Sequence, residues 1–275
     1  MTQHFNPPTL FGKPLFLGSH FGQNGFLYLG NTATARFDIL LGSAADDAIS
    51  ALGGNDIVLA GDGNDTVSGG NGSDLLFGDV GDDSLSGDNG NDLLLGCEGR
   101  DILTGGLGID QLTGGQGADV LVFTADALTD PATPVAVNLA GAGIDAKNSA
   151  DDLTDFTQGK DKILLDLGDF GVDAPITFAE GVTAGLAKSA NFIVQTDAFA
   201  NAALAAAAIA ANDAVTADEG FFVYFNTTLN FSRLVYSSDL GDADDITVLA
   251  NFTNQTGAEG LANISQFGLE DFLFA

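Results

Sequence analysis

Residues 69–77 read GGNGSDLLF, which places three glycines and an aspartate directly before three apolar residues. Glycine and aspartate favour turns, and a short apolar run after them favours a strand. The pattern recurs without a gap in nine consecutive nine-residue blocks over residues 42–122. The fold must therefore be interpreted as a repeat array and not from one block.

Three block positions are nearly constant. The fourth position is glycine in every block except the first, which has Ala45. The eighth position is always Ile, Val or Leu, and a weaker block with Asp38 and Leu40 in phase precedes the nine. The sixth position is always aspartate: Asp47, Asp56, Asp65, Asp74, Asp83, Asp92, Asp101, Asp110 and Asp119.

This spacing predicts a coil of short strands. Glycine at positions one, two and four predicts turns with positive φ. Positions seven to nine predict a strand whose middle residue faces inward, because strand side chains alternate. Two blocks make one turn of the coil, so each block stacks on the block eighteen residues further along the chain.

Such stacking brings aspartates of like charge together, so we expect a divalent cation between the loops. Ca²⁺ accepts six to eight carboxylate and carbonyl oxygens in flexible geometry, whereas Mg²⁺ requires a tighter octahedron. Zinc prefers Cys and His ligands, and the chain has one Cys, Cys97, and two His.

The blocks resemble the glycine-rich nonapeptide of calcium-binding repeats-in-toxin (RTX) proteins, over about a third of the chain. The resemblance implies a parallel β-roll. The expected fold is therefore mainly β: a parallel β-roll of nonapeptide repeats over residues 33–122, capped by a C-terminal β-rich domain with one Ala-rich helix. We predict the nine sixth-position aspartates as calcium ligands, together with loop carbonyls, and about seven ions between pairs eighteen residues apart.

Residues 1–32 form the first predicted flank. They contain Phe11, Phe16, Phe21 and Phe26 at steps of five. The open apolar end of a roll needs a cover. We expect either an aromatic cap or an arm that packs on another copy of the chain.

Residues 123–275 form the second predicted flank. Residues 151–167 resemble the segment that follows the roll in RTX proteins of the serralysin type, which implies Asp152 and Asp161 as further calcium ligands. Residues 198–212 predict a helix with Asp197 as N-cap. Residues 220–225, 232–237 and 245–250 predict an antiparallel sheet that caps the far end of the roll.

The two chain ends predict export. The N-terminal residues show no basic segment followed by an apolar core, so no N-terminal signal peptide is expected. The C-terminus, LEDFLFA, resembles the uncleaved signal of type I secreted RTX proteins at Asp271, Phe272, Leu273 and Phe274. The resemblance implies the type I secretion apparatus as a partner, an extracellular location, and folding only after calcium is met outside the cell.

Charge restricts the remaining classes of function. With 38 acidic against 8 basic side chains, the net charge is −30, which excludes nucleic acid and anionic lipid as natural partners. No apolar stretch suits membrane insertion. No HExxH, GxSxG or close Cys/His pair occurs, so we do not expect an enzyme.

We expect instead a secreted calcium-binding structural or adhesive protein of a bacterial cell surface or matrix, which forms homo-oligomers or larger assemblies. Cell-surface polysaccharide is a candidate partner. The alternatives are an extracellular enzyme or carbohydrate-binding module acting on a polymer, or a soluble calcium buffer.

Overall fold

The computed structural model describes residues 9–10, 13–14, 27–28, 35–124, 150–172, 175–182, 186, 190–212, 215, 219–240 and 244–275. Phe11, Phe16, Phe21 and Phe26 lie outside these residues, so the interpretation of residues 1–32 stays a prediction. At the N-terminus, β1 (Thr9–Leu10) pairs with β2 (Lys13–Pro14), and β3 (Leu27–Tyr28) pairs antiparallel with the first repeat strand.

The repeats form two parallel sheets, as predicted, because successive blocks alternate between them. The larger sheet contains β4 (Ile39–Leu41), β6 (Ile57–Asp62), β8 (Leu75–Val80), β10 (Leu93–Glu98) and β12 (Gln111–Gln116). The smaller sheet contains β5 (Ala48–Ser50), β7 (Thr66–Asn71), β9 (Ser84–Asn89), β11 (Ile102–Leu107) and β13 (Val120–Phe123). Leu76 pairs with Leu94 and Leu85 with Leu103, which confirms the eighteen-residue register.

The strands are longer than the three residues that the sequence predicts. From β6 to β12 each strand has six residues and includes the first three positions of the next block. Positions eight and one both face the interior, as Val58 and Ala60 do with 0% exposure. Glycine at position one therefore lies in a strand, and the prediction of positive φ there was wrong.

Positive φ occurs at positions two and four. Gly63 has φ 121° and Gly61 has φ 108°. Position two also carries non-glycine residues in this left-handed region, among them Cys97 with φ 83°. Cys97 is a partly exposed residue of β10, and burial raises the pKa of its thiol.

The roll continues beyond the repeats. The strands β14 (Asp151–Leu153) and β15 (Lys162–Leu165) pair parallel with β12 and β13. A further layer is added by β20 (Asp244–Thr256) and β21 (Phe272–Phe274). Both sheets thus extend past Val122, the predicted end of the roll, into the predicted C-terminal domain.

The larger sheet also continues sideways from β20. It adds β19 (Phe231–Asp239), β18 (Gly220–Asn226), β17 (Phe192–Phe199) and β16 (Phe178–Gly181). The strands β18, β19 and β20 are antiparallel, as predicted, whereas β16, β17 and β18 are parallel. These strands share the sheet of the roll, because β20 pairs with β14 on one edge and β19 on the other.

The Ala-rich helix is shorter than predicted. The helices are α1 (Leu167–Phe170), α2 (Ala202–Ala210) and α3 (Gly257–Asn263), with 3-10 turns at Ile264–Gln266 and Leu269–Asp271. The α2 N-cap is Asn201, whose side chain accepts from the backbone N of Leu204 at 2.8 Å. The prediction of Asp197 as N-cap was wrong, because Asp197 lies within β17.

One apolar core runs the length of the roll, from Leu40 to Phe272. A second cluster packs α2 on the other face of the C-terminal sheet through Ala202, Ala205 and Ile209. Small alanine side chains allow the helix to lie close to the sheet. Among the described residues, no helix has the length and hydropathy to cross a bilayer.

Candidate metal centre

The sixth-position aspartates form two continuous ladders on the turns between the sheets. In each step the backbone N of one aspartate donates to Oδ1 of the aspartate one coil further on, for example Asp74 to Asp92 at 2.7 Å. One ladder contains Asp38, Asp56, Asp74, Asp92, Asp110 and Asp151. The other contains Asp47, Asp65, Asp83, Asp101, Asp119 and Asp161.

The second carboxylate oxygen of each predicted ligand has no hydrogen-bond partner within the described part of the chain. This atom is Oδ1 in Asp47 and Oδ2 in the other eight predicted ligands. The nine side chains are at most 3% exposed. Buried carboxylate oxygens without a partner carry a large desolvation penalty, so the ladders lack a positively charged or hydrogen-bonding group.

The glycine at position one leaves room beside this oxygen. A Cβ at Gly78 would overlap Oδ2 of Asp83 and lie 2.7 Å from the carbonyl O of Gly96 in the next coil. A Cβ at Gly96 would likewise overlap Oδ2 of Asp101 and lie 2.6 Å from the O of Gly114. A carboxylate oxygen and a carbonyl oxygen thus converge where glycine lacks a side chain.

Two blocks have alanine instead of glycine at position one. Position one is Ala51 in the block of Asp56 and Ala60 in the block of Asp65, and both alanines are 0% exposed. Their methyl groups occupy the space that glycine leaves open in the other blocks. The space beside Asp56 and Asp65 is therefore smaller.

Burial raises the pKa of eight ladder carboxyls above 3.8: Asp56, Asp65, Asp74, Asp83, Asp92, Asp101, Asp119 and Asp161. The pKa rises to about 6 in Asp83, about 7 in Asp101 and about 8 in Asp92. Desolvation is the largest cause; the backbone hydrogen bond opposes it, and neighbouring aspartates add to it. The charged carboxylates thus need a compensating cation at neutral pH.

The donor set fits calcium. It consists of carboxylate and backbone carbonyl oxygens in flexible turns, which are the ligands that Ca²⁺ prefers. Within the described ranges no group of three His, Cys, Asp or Glu side chains converges on one point, so a cation here depends on main-chain oxygens as well as aspartates. When bound, calcium would supply positive charge to the unpaired oxygens of successive coils.

Asp161 and Asp152, the two calcium ligands predicted after the repeats, differ in their positions in the structure. Asp161 joins its ladder, accepting from the N of Asp119 at 3.1 Å. Asp152 does not, because it faces away from the ladder and accepts from Nδ2 of Asn251 at 3.0 Å. Asp151 takes the place instead, with its Oδ1 accepting from the N of Asp110 at 3.0 Å.

Sequence reasoning missed Asp38 and Asp151 as ladder members, although a signal existed for both. Asp38 lies in phase two residues before Leu40. Asp151 lies two residues before the buried Leu153, just as every sixth-position aspartate lies two residues before its inward aliphatic residue.

Comparison with solved structures finds similar chains. Two of them are the AlgE6R3 and AlgE6R2 subunits of the Azotobacter vinelandii mannuronan C5-epimerase, each 18% identical, with TM-scores of 0.40 and 0.37. The matches cover 74% and 89% of this chain and 79% and 95% of those chains, respectively. The comparison with curated proteins finds no match.

Comparison with family models finds four copies of the RTX calcium-binding nonapeptide repeat, at residues 32–67, 59–94, 68–103 and 95–127. These segments contain all nine aspartates predicted as ligands, and their strands form the two parallel sheets. This part of the chain is therefore an array of RTX calcium-binding repeats wound into a parallel β-roll.

Proposed function

We propose that the protein is a secreted structural or adhesive protein of a bacterial cell surface or matrix, which folds and self-associates when it binds calcium. The observation that carries this proposal is an apolar outer face on a calcium-binding roll. We call it the aliphatic face, and it consists of the outward residues at block positions seven and nine of β4, β6, β8 and β10: Ile39, Leu41, Ile57, Leu59, Leu75, Phe77, Leu93 and Leu95.

The aliphatic face extends over four neighbouring strands of one sheet, whereas on the other sheet apolar residues larger than alanine at these block positions are confined to β11 and β13, as Ile102, Val120 and Val122. The same block positions on β5, β7 and β9 of the other sheet carry Ala48, Ser50, Thr66, Ser68, Ser84 and Ser86. Ile39 and Leu59 are 38% and 41% exposed. A contiguous apolar surface commonly marks an interaction site, and the RTX repeat does not itself require it, because the other sheet folds without it.

A second copy of this chain fits the aliphatic face best. The chain carries a net charge of −30, so two copies repel over most of their surfaces. The eight outward positions of the aliphatic face carry no charge. Two copies can therefore meet through these eight residues in a two-fold symmetric contact, with Asp62, Asp79 and Glu98 at its edge.

Calcium controls this contact through folding. The face exists only when β4 to β10 are stacked, and stacking buries the unpaired aspartate oxygens. About seven ions would compensate about fourteen of the negative charges, at two charges per ion. Self-association should therefore follow calcium concentration in the millimolar range typical of extracellular modules.

The C-terminus supports export before folding. Residues Phe272–Phe274 form the last strand of the smaller sheet, and Asp271 is 0% exposed with its carboxylate bound to the N of Gly159 and Gly268. A type I secretion apparatus that reads this segment needs it outside the sheet. We infer that the chain is recognised unfolded and that calcium closes the roll outside the cell.

Light scattering during a calcium titration of the full chain tests self-association. We expect the molar mass of the parent chain in solution to rise with calcium. A variant with Leu75→Thr, Phe77→Ser, Leu93→Thr and Leu95→Ser should stay monomeric. These residues occur at the same positions in the other sheet, so the roll should still fold. Ser84→Ala with Ser86→Ala on the opposite face is the control and should assemble as the parent does. A parent chain that remains monomeric at millimolar calcium contradicts the proposal.

We propose no catalytic activity. A screen against extracellular polysaccharides, with the calcium-loaded chain, checks this, and turnover of any of them would favour the enzyme alternative.

A further inference from the structure

Two asparagines of the roll are followed directly by glycine. Within the described part of the chain this pair occurs at Asn71–Gly72 and at Asn89–Gly90, in both cases at positions three and four of a block. Asn71 ends β7 and Asn89 ends β9, and both residues are exposed. They pair across the smaller sheet, where Nδ2 of Asn89 donates to Oδ1 of Asn71 at 3.1 Å.

An asparagine before a glycine is chemically labile. The backbone nitrogen of the glycine bonds to Cγ of the asparagine, the Cγ–Nδ2 bond breaks, and Nδ2 leaves as ammonia with the proton of the glycine N–H. The cyclic imide takes up one water and opens at either of its two carbonyls, which gives aspartate or isoaspartate. Glycine favours the attack because it has no side chain and its backbone is the least restricted.

The folded coil blocks this attack at both sites. The backbone N of Gly72 donates to the carbonyl O of Asn89 at 2.8 Å, and the backbone N of Gly90 donates to the O of Leu107 at 2.7 Å. A nitrogen that attacks Cγ must release this proton and turn away from the next coil, at the cost of the hydrogen bond. Both hydrogen bonds exist only when successive coils are stacked, so an unstacked chain has no such protection.

The roll has no room for the isoaspartate product. Isoaspartate places its Cβ in the main chain, which becomes one carbon longer at that residue. Successive coils are in close contact at this point, since a Cβ added at Gly72 would overlap the carbonyl O of Gly54, and one at Gly90 would overlap the O of Gly72. The longer main chain therefore disrupts the pairing of Asn71 with Asn89. Conversion of Asn89 to aspartate also replaces its Nδ2 donor by an oxygen facing Oδ1 of Asn71.

We propose that Asn71 and Asn89 are self-modification sites that limit how long the calcium-free chain stays able to fold. Before calcium closes the roll, both asparagines deamidate, and each isoaspartate prevents its coil from stacking. Once the roll is closed, the hydrogen bonds of Gly72 and Gly90 keep the chain unmodified. The inference rests on the calcium-driven folding proposed above and gives that folding a time limit.

Peptide mapping by mass spectrometry tests the proposal on the full chain incubated at pH 8 with either calcium or chelator. We expect deamidation at Asn71 and Asn89 to be at least tenfold slower in calcium. Labelling with an isoaspartyl methyltransferase measures the isoaspartate that forms. After incubation in chelator, calcium is added in excess, and the strand content regained, measured by circular dichroism, should fall as isoaspartate accumulates.

Asn71→Gln combined with Asn89→Gln is the matched control. Glutamine forms the cyclic imide much more slowly, and Gln116 already occupies position three before Gly117, so the variant should fold. After the same incubation in chelator it should regain its full strand content.

The same samples separate this proposal from calcium-driven folding. Equal deamidation rates in calcium and chelator, together with calcium-dependent circular dichroism, overturn the proposal and leave calcium-driven folding standing. A chain that is already rich in strand in chelator contradicts both. Full recovery of strand by the deamidated parent, or an equal loss in the glutamine variant, overturns the proposal alone.

Discussion

At the residue scale, the distinction between glycine and alanine at position one decides how much space lies beside each ladder aspartate. In eight of the nine aspartates Oδ1 accepts from the backbone N in the preceding coil, while Oδ2 forms no hydrogen bond within the described part of the chain. The residue at position one is what varies around that oxygen. The repeats are therefore chemically unequal although their aspartates are in perfect phase.

Exchanging glycine and alanine tests this difference. Gly96→Ala should place a methyl against Oδ2 of Asp101 and the O of Gly114, at a cost of about 1–3 kcal/mol in the bound state, and weaken calcium binding. Ala60→Gly should open the space beside Asp65 and strengthen it. Equilibrium dialysis against calcium measures both; equal affinity in the two variants would contradict the role of position one.

Neutralising one ladder aspartate tests the ligand assignment. Asp101→Asn keeps the shape of the side chain but removes its charge, so the calcium concentration at half-saturation should rise by at least about tenfold. Asp152→Asn is the matched control, because Asp152 lies off the ladder. Circular dichroism during a calcium titration measures the half-saturation concentration of both variants. An equal increase in the two would contradict the assignment of Asp101 as a ligand.

At the element scale, the last strand is an integral layer of the roll. Phe272 of β21 is 4% exposed and its ring lies 4.4 Å from that of Phe192, while the neighbouring Leu273 is 41% exposed. The strand pairs with β15 over three residues. The C-terminal segment that resembles an export signal is thus also a structural element once the chain has folded.

Truncating the buried ring should destabilise the folded protein. Phe272→Ala should lower the free energy of unfolding by about 3–5 kcal/mol, measured by urea denaturation in saturating calcium. Leu273→Ala, next to it but facing solvent, should change it by less than about 0.5 kcal/mol. Similar values for the two variants would show that β21 does not pack as described.

At the scale of the whole molecule, folding, charge and calcium are coupled because the turns collect buried carboxylates along the length of the roll. Without calcium, the pKa values of the Asp83, Asp92 and Asp101 carboxyls in the folded state exceed the value of about 3.9 in an unfolded chain. The folded state then binds more protons than the unfolded state. Its stability must therefore increase as the pH falls, by linkage.

The pH dependence should change sign with calcium. In chelator, strand content measured by circular dichroism should be low at pH 8 and rise as the pH falls toward about 4, because Asp83, Asp101 and Asp92 gain protons below about 6, 7 and 8. At a fixed subsaturating calcium concentration, lowering the pH should instead weaken calcium binding, since protons compete for the same oxygens. A chain rich in strand in chelator at pH 8 would refute the coupling.

The sequence by itself determined the nine-residue period, the eighteen-residue register, the inward aliphatic column and the columns of aspartates, because each depends on contacts that repeat at one fixed separation. It also predicted the strands at 220–225 and 232–237 and an Ala-rich helix from local propensity. Only the tertiary structure decided that Asp151 and not Asp152 completes a ladder, across 41 residues from Asp110. It alone placed β20 and β21 in the roll. These pairings join distant segments with no periodic signal, so they depend on how the folded sheets bring the chain together and not on any local pattern.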